Sequence, residues 1–234
     1  MNAERETRQL PLDLSRRPGF SRDELVVTPA NAAAVALVDR WPDWPSPVVV
    51  LAGPPGSGKS HLASLWADRA EALVGAVQDA ESLVARAAAG HAVLLEGVEP
   101  PLDEAGLFHL INAVRGAGSN LLMTSRRFPA AWGVGLADLA SRLKAATVVE
   151  IAEPDDLLLS AVITKLFADR QVEVEPHVVA YIVNRIERSL STAAGVVERL
   201  DHAAMARKTR ISRALAAEIV SALDEGQGEL PYTN

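Results

Sequence analysis

The sequence predicts an α/β domain with a parallel, doubly wound sheet, followed by a small all-α domain. Three observations lead there. The apolar run Pro47-Val48-Val49-Val50-Leu51-Ala52 feeds directly into Gly53-Pro54-Pro55-Gly56-Ser57-Gly58-Lys59-Ser60, which fits the G-x-x-x-x-G-K-[ST] pattern of a phosphate-cradling loop. Downstream, short apolar runs alternate with amphipathic segments, the pattern of βαβ units that build a parallel sheet. Beyond Pro154 the strand-like runs stop and apolar residues recur at helical spacing.

The loop justifies itself position by position. Gly53, Gly56 and Gly58 let backbone N–H groups, that of Ser57 among them, converge on phosphate oxygens without Cβ interference. Lys59 can reach the β/γ-phosphates and Ser60 can ligate Mg²⁺. The helix that begins at His61 turns the positive end of its dipole toward the same anion. A plain Gly/Pro turn between strand and helix is the competing account, and the complete motif in its strand–loop–helix setting favours nucleotide.

The remaining elements follow in order. Residues 1–24 are polar and charged, and Pro11, Pro18 and Gly19 interrupt any helix, so the segment is expected to lack packed structure of its own. Inside it, Gln9-Leu10-Pro11-Leu12-Asp13-Leu14 places three leucines at period two. That spacing suits an extended peptide docked in a partner's groove, or an arm folded back on its own domain. Leu25-Val26-Val27, then Pro29 and Asn31, then the Ala-rich stretch 32–38 read as a loop entering a helix. Trp41 and Trp44 either form a binding platform or pack beneath that helix. Strands are expected at 73–77, 91–95, 120–124 and 147–151, and helices at 80–89, 103–115 and 136–145. Lid helices are expected at 155–169, 176–187, 192–208 and 212–223, and residues 224–234 read as a tail. The expected divisions are an arm at 1–24, an α/β domain at 25–152, a helical lid at 153–223 and the tail.

Composition narrows the function classes. Without cysteine the chain has neither disulfides nor thiolate metal sites, and with no signal-like start and no apolar run near ~20 residues it reads as cytoplasmic and not membrane-bound. A formal charge of −7 argues against binding DNA by bulk electrostatics.

A phosphate loop, a parallel sheet and a four-helix lid together resemble the AAA+ ATPases. Phe20, Asp23, Leu25, Val26, Val27 and Asn31 look like the adenine-side entry segment of the DnaA-related branch, and Gly58-Lys59-Ser60-His61-Leu62 looks like its phosphate loop. Leu136-Ala137-Asp138-Leu139-Ala140-Ser141-Arg142-Leu143 is similar to the branch's arginine-finger segment, and Gln9-Leu10-Pro11-Leu12-Asp13-Leu14 to the clamp-docking peptide of Hda-type regulatory inactivators. The resemblance runs over residues 9–223. It implies ADP or ATP with Mg²⁺ as cofactors. Val27, Asn31, Gly53, Gly56, Ser57, Gly58, Lys59, Ser60, His61 and the lid's Arg188 would bind nucleotide, with Ser60 and Glu96 on the metal. Gln9, Leu10, Leu12 and Leu14 would dock on the DNA polymerase III sliding clamp, its beta subunit. Arg142 would act in trans on the ATP of the replication initiator DnaA, and a homo-oligomer of the chain is a further expected assembly. The implied function is a clamp-associated regulator that stimulates ATP hydrolysis by DnaA and so prevents re-initiation. A helicase-loader-type ATPase working by its own turnover is the alternative. The chain ends within a dozen residues of its last expected helix, so no DNA-reading helix-turn-helix and no direct sequence-specific DNA binding are expected.

Several residues depart from the AAA+ pattern. Where AAA+ enzymes carry two adjacent acids after the third strand, this chain has Glu96-Gly97, so weak or no intrinsic hydrolysis is expected. Glu99, two residues on, either reaches into the site or is a loop acid facing solvent. The fourth strand ends Thr124-Ser125-Arg126, with Thr124 and Ser125 as the candidate phosphate sensors. The lid's sensing arginine falls on Ser191, with Arg188 one turn earlier as its substitute. Arg142 is open to a second account, an i,i+4 ion pair with Asp138.

Overall fold

The computed structural model describes Arg22 and residues 25–226, with side chains to residue 223. Gln9, Leu10, Leu12 and Leu14 lie outside the described residues, as do Phe20 and Asp23. In chain order the elements are α1 (Ala32–Asp39), β1 (Val48–Ala52), α2 (Lys59–Ala70), β2 (Leu73–Ala76), α3 (Ala80–Ala88), β3 (Val93–Glu96), α4 (Glu104–Ala117), β4 (Leu121–Ser125), α5 (Ala137–Lys144), β5 (Thr147–Glu150), α6 (Asp156–Asp169), α7 (Pro176–Val183), α8 (Leu190–Arg207) and α9 (Arg213–Gly226). Among the described residues, no helix is long and apolar enough to cross a membrane.

The expected parallel sheet is present, with order β2-β3-β4-β1-β5. From β1 the chain travels to the far edge, returns through β3 and β4, and crosses to β5 on the other side of β1. Strand order therefore reverses at β1, and the crevice beyond the carboxyl ends of such strands is where open α/β sheets take ligands. All five residues of β1 are buried. Val48 and Val50 enter the core shared with α3, α4 and α5, while Val49 and Leu51 enter the core shared with α1 and α2. Two covered faces explain why this strand is continuously apolar rather than alternating.

Trp66 of α2 anchors the second core. Trp44 stacks on it at 5.1 Å and Trp41 meets it edge-on at 6.5 Å. The indole N–H groups of Trp41 and Trp44 donate to Asn120 Oδ1 and the Leu37 carbonyl, so these rings pack rather than form a platform.

Helices α6–α9 close on their own core, in which Leu159, Ile163 and Phe167 of α6 meet Ile182 of α7 and Val196 and Leu200 of α8. Side-chain oxygens cap three of these helices, Ser212 Oγ accepting from Leu215 N at 3.3 Å at the start of α9. Asp155 Oδ1 accepts from Leu158 N at 2.7 Å, and Ser189 Oγ accepts from Thr192 N at 3.2 Å. Local boundaries shift from those the pattern predicts. Helix α7 stops at Val183 and α8 starts at Leu190 because Ser189 caps it, so residues 184–189 form a link rather than helix. Strand β2 stops at Ala76, whose N–H is taken by Asp79 Oδ2 at 2.8 Å as the chain tightens into the turn Val77–Asp79.

Candidate nucleotide site

The loop leaves β1 at Ala52, and Gly53 N donates to Ser125 O at 3.1 Å, which moors its first residue to the end of β4. Gly56 and Gly58 have φ of +70° and +96°, a left-handed backbone that only glycine adopts without strain. Lys59 folds back into the loop, donating from Nζ to Pro54 O at 2.6 Å and to Ser57 Oγ at 3.3 Å. Burial lowers the Lys59 pKa, Arg126 pushes the same way, and Glu99 opposes them. The amine is thus a cation short of counter-charge, which a phosphate supplies better than a carbonyl. Ser60, exposed, is the second residue of α2.

Beside the loop opens a cleft of about 260 Å³. Leu25, Val26, Asn31 and Val35 wall one side, Ser57, Gly58, His61 and Leu62 form its floor, and Val162, Lys165, Leu166, Leu190 and Ser191 of the lid face them. Apolar walls with a few polar groups suit a flat heterocycle next to the phosphates. Asn31 braces the entry segment, accepting from Thr28 N and donating to Val26 O, both at 2.9 Å. Val27 lies outside the cleft lining and is 47% exposed, while its neighbours Leu25 and Val26 face inward. His61 lines the cleft with its pKa lowered, first by burial and then by Lys165. The imidazole is neutral at pH 7 and so presents both a donor and an acceptor.

The lid touches the loop directly. Leu190 N donates to Gly56 O at 2.8 Å, and Ser189 packs on the Gly56 α-carbon so tightly that an added Cβ would overlap its hydroxyl. Ser191 hydrogen-bonds Ser189, Oγ to Oγ, at 2.7 Å. Arg188 pairs with Asp156 at 2.9 Å and donates to Pro154 O at 3.3 Å, so its guanidinium is held at the start of α6.

At the acidic side, Glu96 ends β3 exposed. Thr124 Oγ1 accepts from Gly97 N at 2.9 Å, and Thr124 O accepts from Val98 N at 2.8 Å. Glu99 is not a loop acid left to solvent: its Oε1 accepts from Arg126 N at 2.7 Å and faces Ser125 Oγ at 3.5 Å. Ser60, Glu96 and Glu99 are all oxygen donors, the chemistry that a hard cation such as Mg²⁺ takes when it arrives with phosphates. Arg142, half-buried on α5, makes no hydrogen bond or ion pair with any described residue, Asp138 included.

Sequence reasoning missed the lid's wall. Leu158, Val162 and Leu166 recur at i, i+4, i+8 on α6, a stripe visible in the sequence, but spacing alone does not say what the stripe faces.

No protein-family model matches the sequence. The chain is similar to the chromosomal replication initiator protein DnaA of Sphingopyxis alaskensis, 29% identical over 89% of this chain and 52% of that protein. It thus spans about half the length of the curated relative it matches. Among solved structures it is similar to domain III of the Thermotoga maritima replication initiation protein DnaA, with TM-score 0.75, 16% identity, and 88% of this chain and 97% of that one covered. A replication initiator DnaA bound to AMPPCP and single-stranded DNA matches with TM-score 0.69 and 16% identity, over 82% of this chain and 69% of that one. The fold, a parallel α/β sheet with a phosphate-loop motif after its first strand and a small helical lid, is that of domain III of DnaA.

Proposed function

We propose that the chain holds an adenine nucleotide, ADP or ATP, between its phosphate loop and lid, docks on the DNA-loaded sliding clamp through residues 9–14, and presents Arg142 to ATP-bound DnaA. The initiator then performs the hydrolysis. The observation that carries this reading is the cleft itself, an apolar chamber walled by the entry segment and the lid and lined on the loop side by Ser57, whose hydroxyl accepts from Lys59 Nζ. The phosphates lie on the loop, with Mg²⁺ met by Ser60 and a carboxylate from the end of β3 or just beyond it. The base stacks against Leu25, Val26, Leu158 and Leu166. AMPPCP bound to a protein of the same fold supports the choice of adenine. Gly97, with no carboxylate to orient water, and Arg142, with no hydrogen-bond or ion-pair partner among the described residues, support action on a neighbour's nucleotide rather than on this one. The test is ADP formation by ATP-loaded DnaA on DNA-loaded clamp, with and without the chain. Acceleration is expected, and an unchanged rate removes the regulator reading.

A further inference from the structure

We propose that Glu99, rather than Glu96, is the carboxylate that meets the divalent cation of a nucleoside triphosphate bound in the loop. The inference deepens the nucleotide-binding reading and rests on it.

The sheet register supplies the argument. Leu95 of β3 pairs with Met123 of β4, so an unbroken ladder would set Glu96 and Gly97 beside Thr124 and Ser125. The ladder breaks instead. Gly97, at φ +62°, gives its N–H to the Thr124 hydroxyl, and Val98 N donates to the Thr124 carbonyl. Two residues are used up, Val98 is buried as the anchor, and Glu99 arrives across the carboxyl end of β4. There Ser125 holds two things at once: its carbonyl accepts from Gly53 N, the first residue of the loop, and its hydroxyl donates to Glu99 Oε1. Arg126 N fixes the same oxygen at 2.7 Å, leaving Oε2 without a hydrogen bond among the described residues. The carboxylate is therefore positioned by the strand next to the loop and keeps one oxygen for a ligand. Its charge is felt by Lys59, the residue aimed at the β/γ-phosphates. Among the described residues the Glu96 carboxylate has no such mooring. Mg²⁺ binds through one or two carboxylates plus phosphates and keeps several waters, so a single held carboxylate at the loop's phosphate end is a sufficient protein contribution.

The experiment titrates the full chain with AMPPCP by calorimetry, once with Mg²⁺ and once with EDTA, for wild type, Glu99→Gln and Glu96→Gln. Glutamine keeps an oxygen for the Arg126 amide, and a melting curve for each variant checks that the fold persists. Affinities in EDTA are expected to be equal. Mg²⁺ should tighten binding to wild type and Glu96→Gln, and Glu99→Gln should lose about tenfold or more of that gain, the usual cost of removing a partner of a bound cation. A full gain retained in Glu99→Gln, a loss in Glu96→Gln as large as in Glu99→Gln, or no gain in wild type overturns the proposal while leaving nucleotide binding intact. No AMPPCP binding in either buffer overturns the nucleotide reading beneath it.

Discussion

Lys59 keeps its amine in a nearly buried position where burial and Arg126 both work against the charge, with a carbonyl and a hydroxyl as its hydrogen-bond partners among the described residues. Charge-assisted hydrogen bonds contribute roughly 1.5–3 kcal/mol. Replacing Lys59 with Met should therefore weaken ADP binding about 10- to 100-fold by calorimetry, while the melting temperature without nucleotide stays level or rises because a buried cation is gone. His61 adds a pH dependence. Its folded pKa lies below the ordinary value of 6.5, so as pH falls the unfolded chain takes up a proton before the folded cleft does. Stability then drops on acidification through that window and levels off below the folded value. The wild-type melting temperature should fall more between about pH 7.5 and 5.5 than that of His61→Gln; equal falls would remove His61 as the source. What could be read at this scale was the motif, because its chemistry is local in the chain. Lys165 beside His61 and the Ser125–Glu99 contact could not, since each joins residues brought together only by the sheet or the lid.

The elements meet at one contact that pattern reading left out. Helix α8 begins against the loop, with Leu190 N on Gly56 O and Ser189 against the Gly56 α-carbon. An added methyl would come within 2.7 Å of Ser189 Cβ, on a backbone at φ +70° that disfavours any side chain. Gly56→Ala should therefore destabilise the chain by about 1–3 kcal/mol in urea unfolding. Adding Ser189→Gly should restore only part of this, since the backbone strain stays. Full wild-type stability in Gly56→Ala would mean that the lid does not rest on the loop. Strands and helices were readable where burial imposes a period: β1, β3 and β4 as apolar runs, α4 through α6 as stripes. Helix α7 was read four residues too long because Ile182 and Ile186 continue the apolar spacing past the point where the backbone turns. Ser189 held the correcting signal, a cap residue just before the next helix.

At the scale of the whole molecule, the proposed function divides nucleotide binding and action on a partner between different parts of the chain. The loop, entry segment and lid enclose the cleft, whereas Arg142 stands on α5 with no hydrogen-bond or ion-pair partner among the described residues. Docking is assigned to the arm, where apolar anchors carry most of a short peptide's affinity. Leu12→Ala with Leu14→Ala should abolish clamp pull-down with an unchanged melting curve, and retained binding would return the arm to its own domain. The layered sheet and helical lid could be read from alternation alone, but a surface that works only against another protein leaves no periodic trace in one sequence. Arg142 is where the account is most exposed, because a guanidinium acting on charge that develops in a partner's transition state is silent in the isolated chain and is worth ~10³–10⁵-fold in known cases. The direct measurement follows ADP formation by ATP-loaded DnaA on DNA-loaded clamp with wild type, Arg142→Ala and Arg142→Lys. Both variants are expected to bind nucleotide and clamp as wild type does yet lose nearly all stimulation, since an ammonium does not reproduce the planar fork; stimulation by Arg142→Ala equal to wild type would rule out Arg142 as the group that acts on the initiator's ATP.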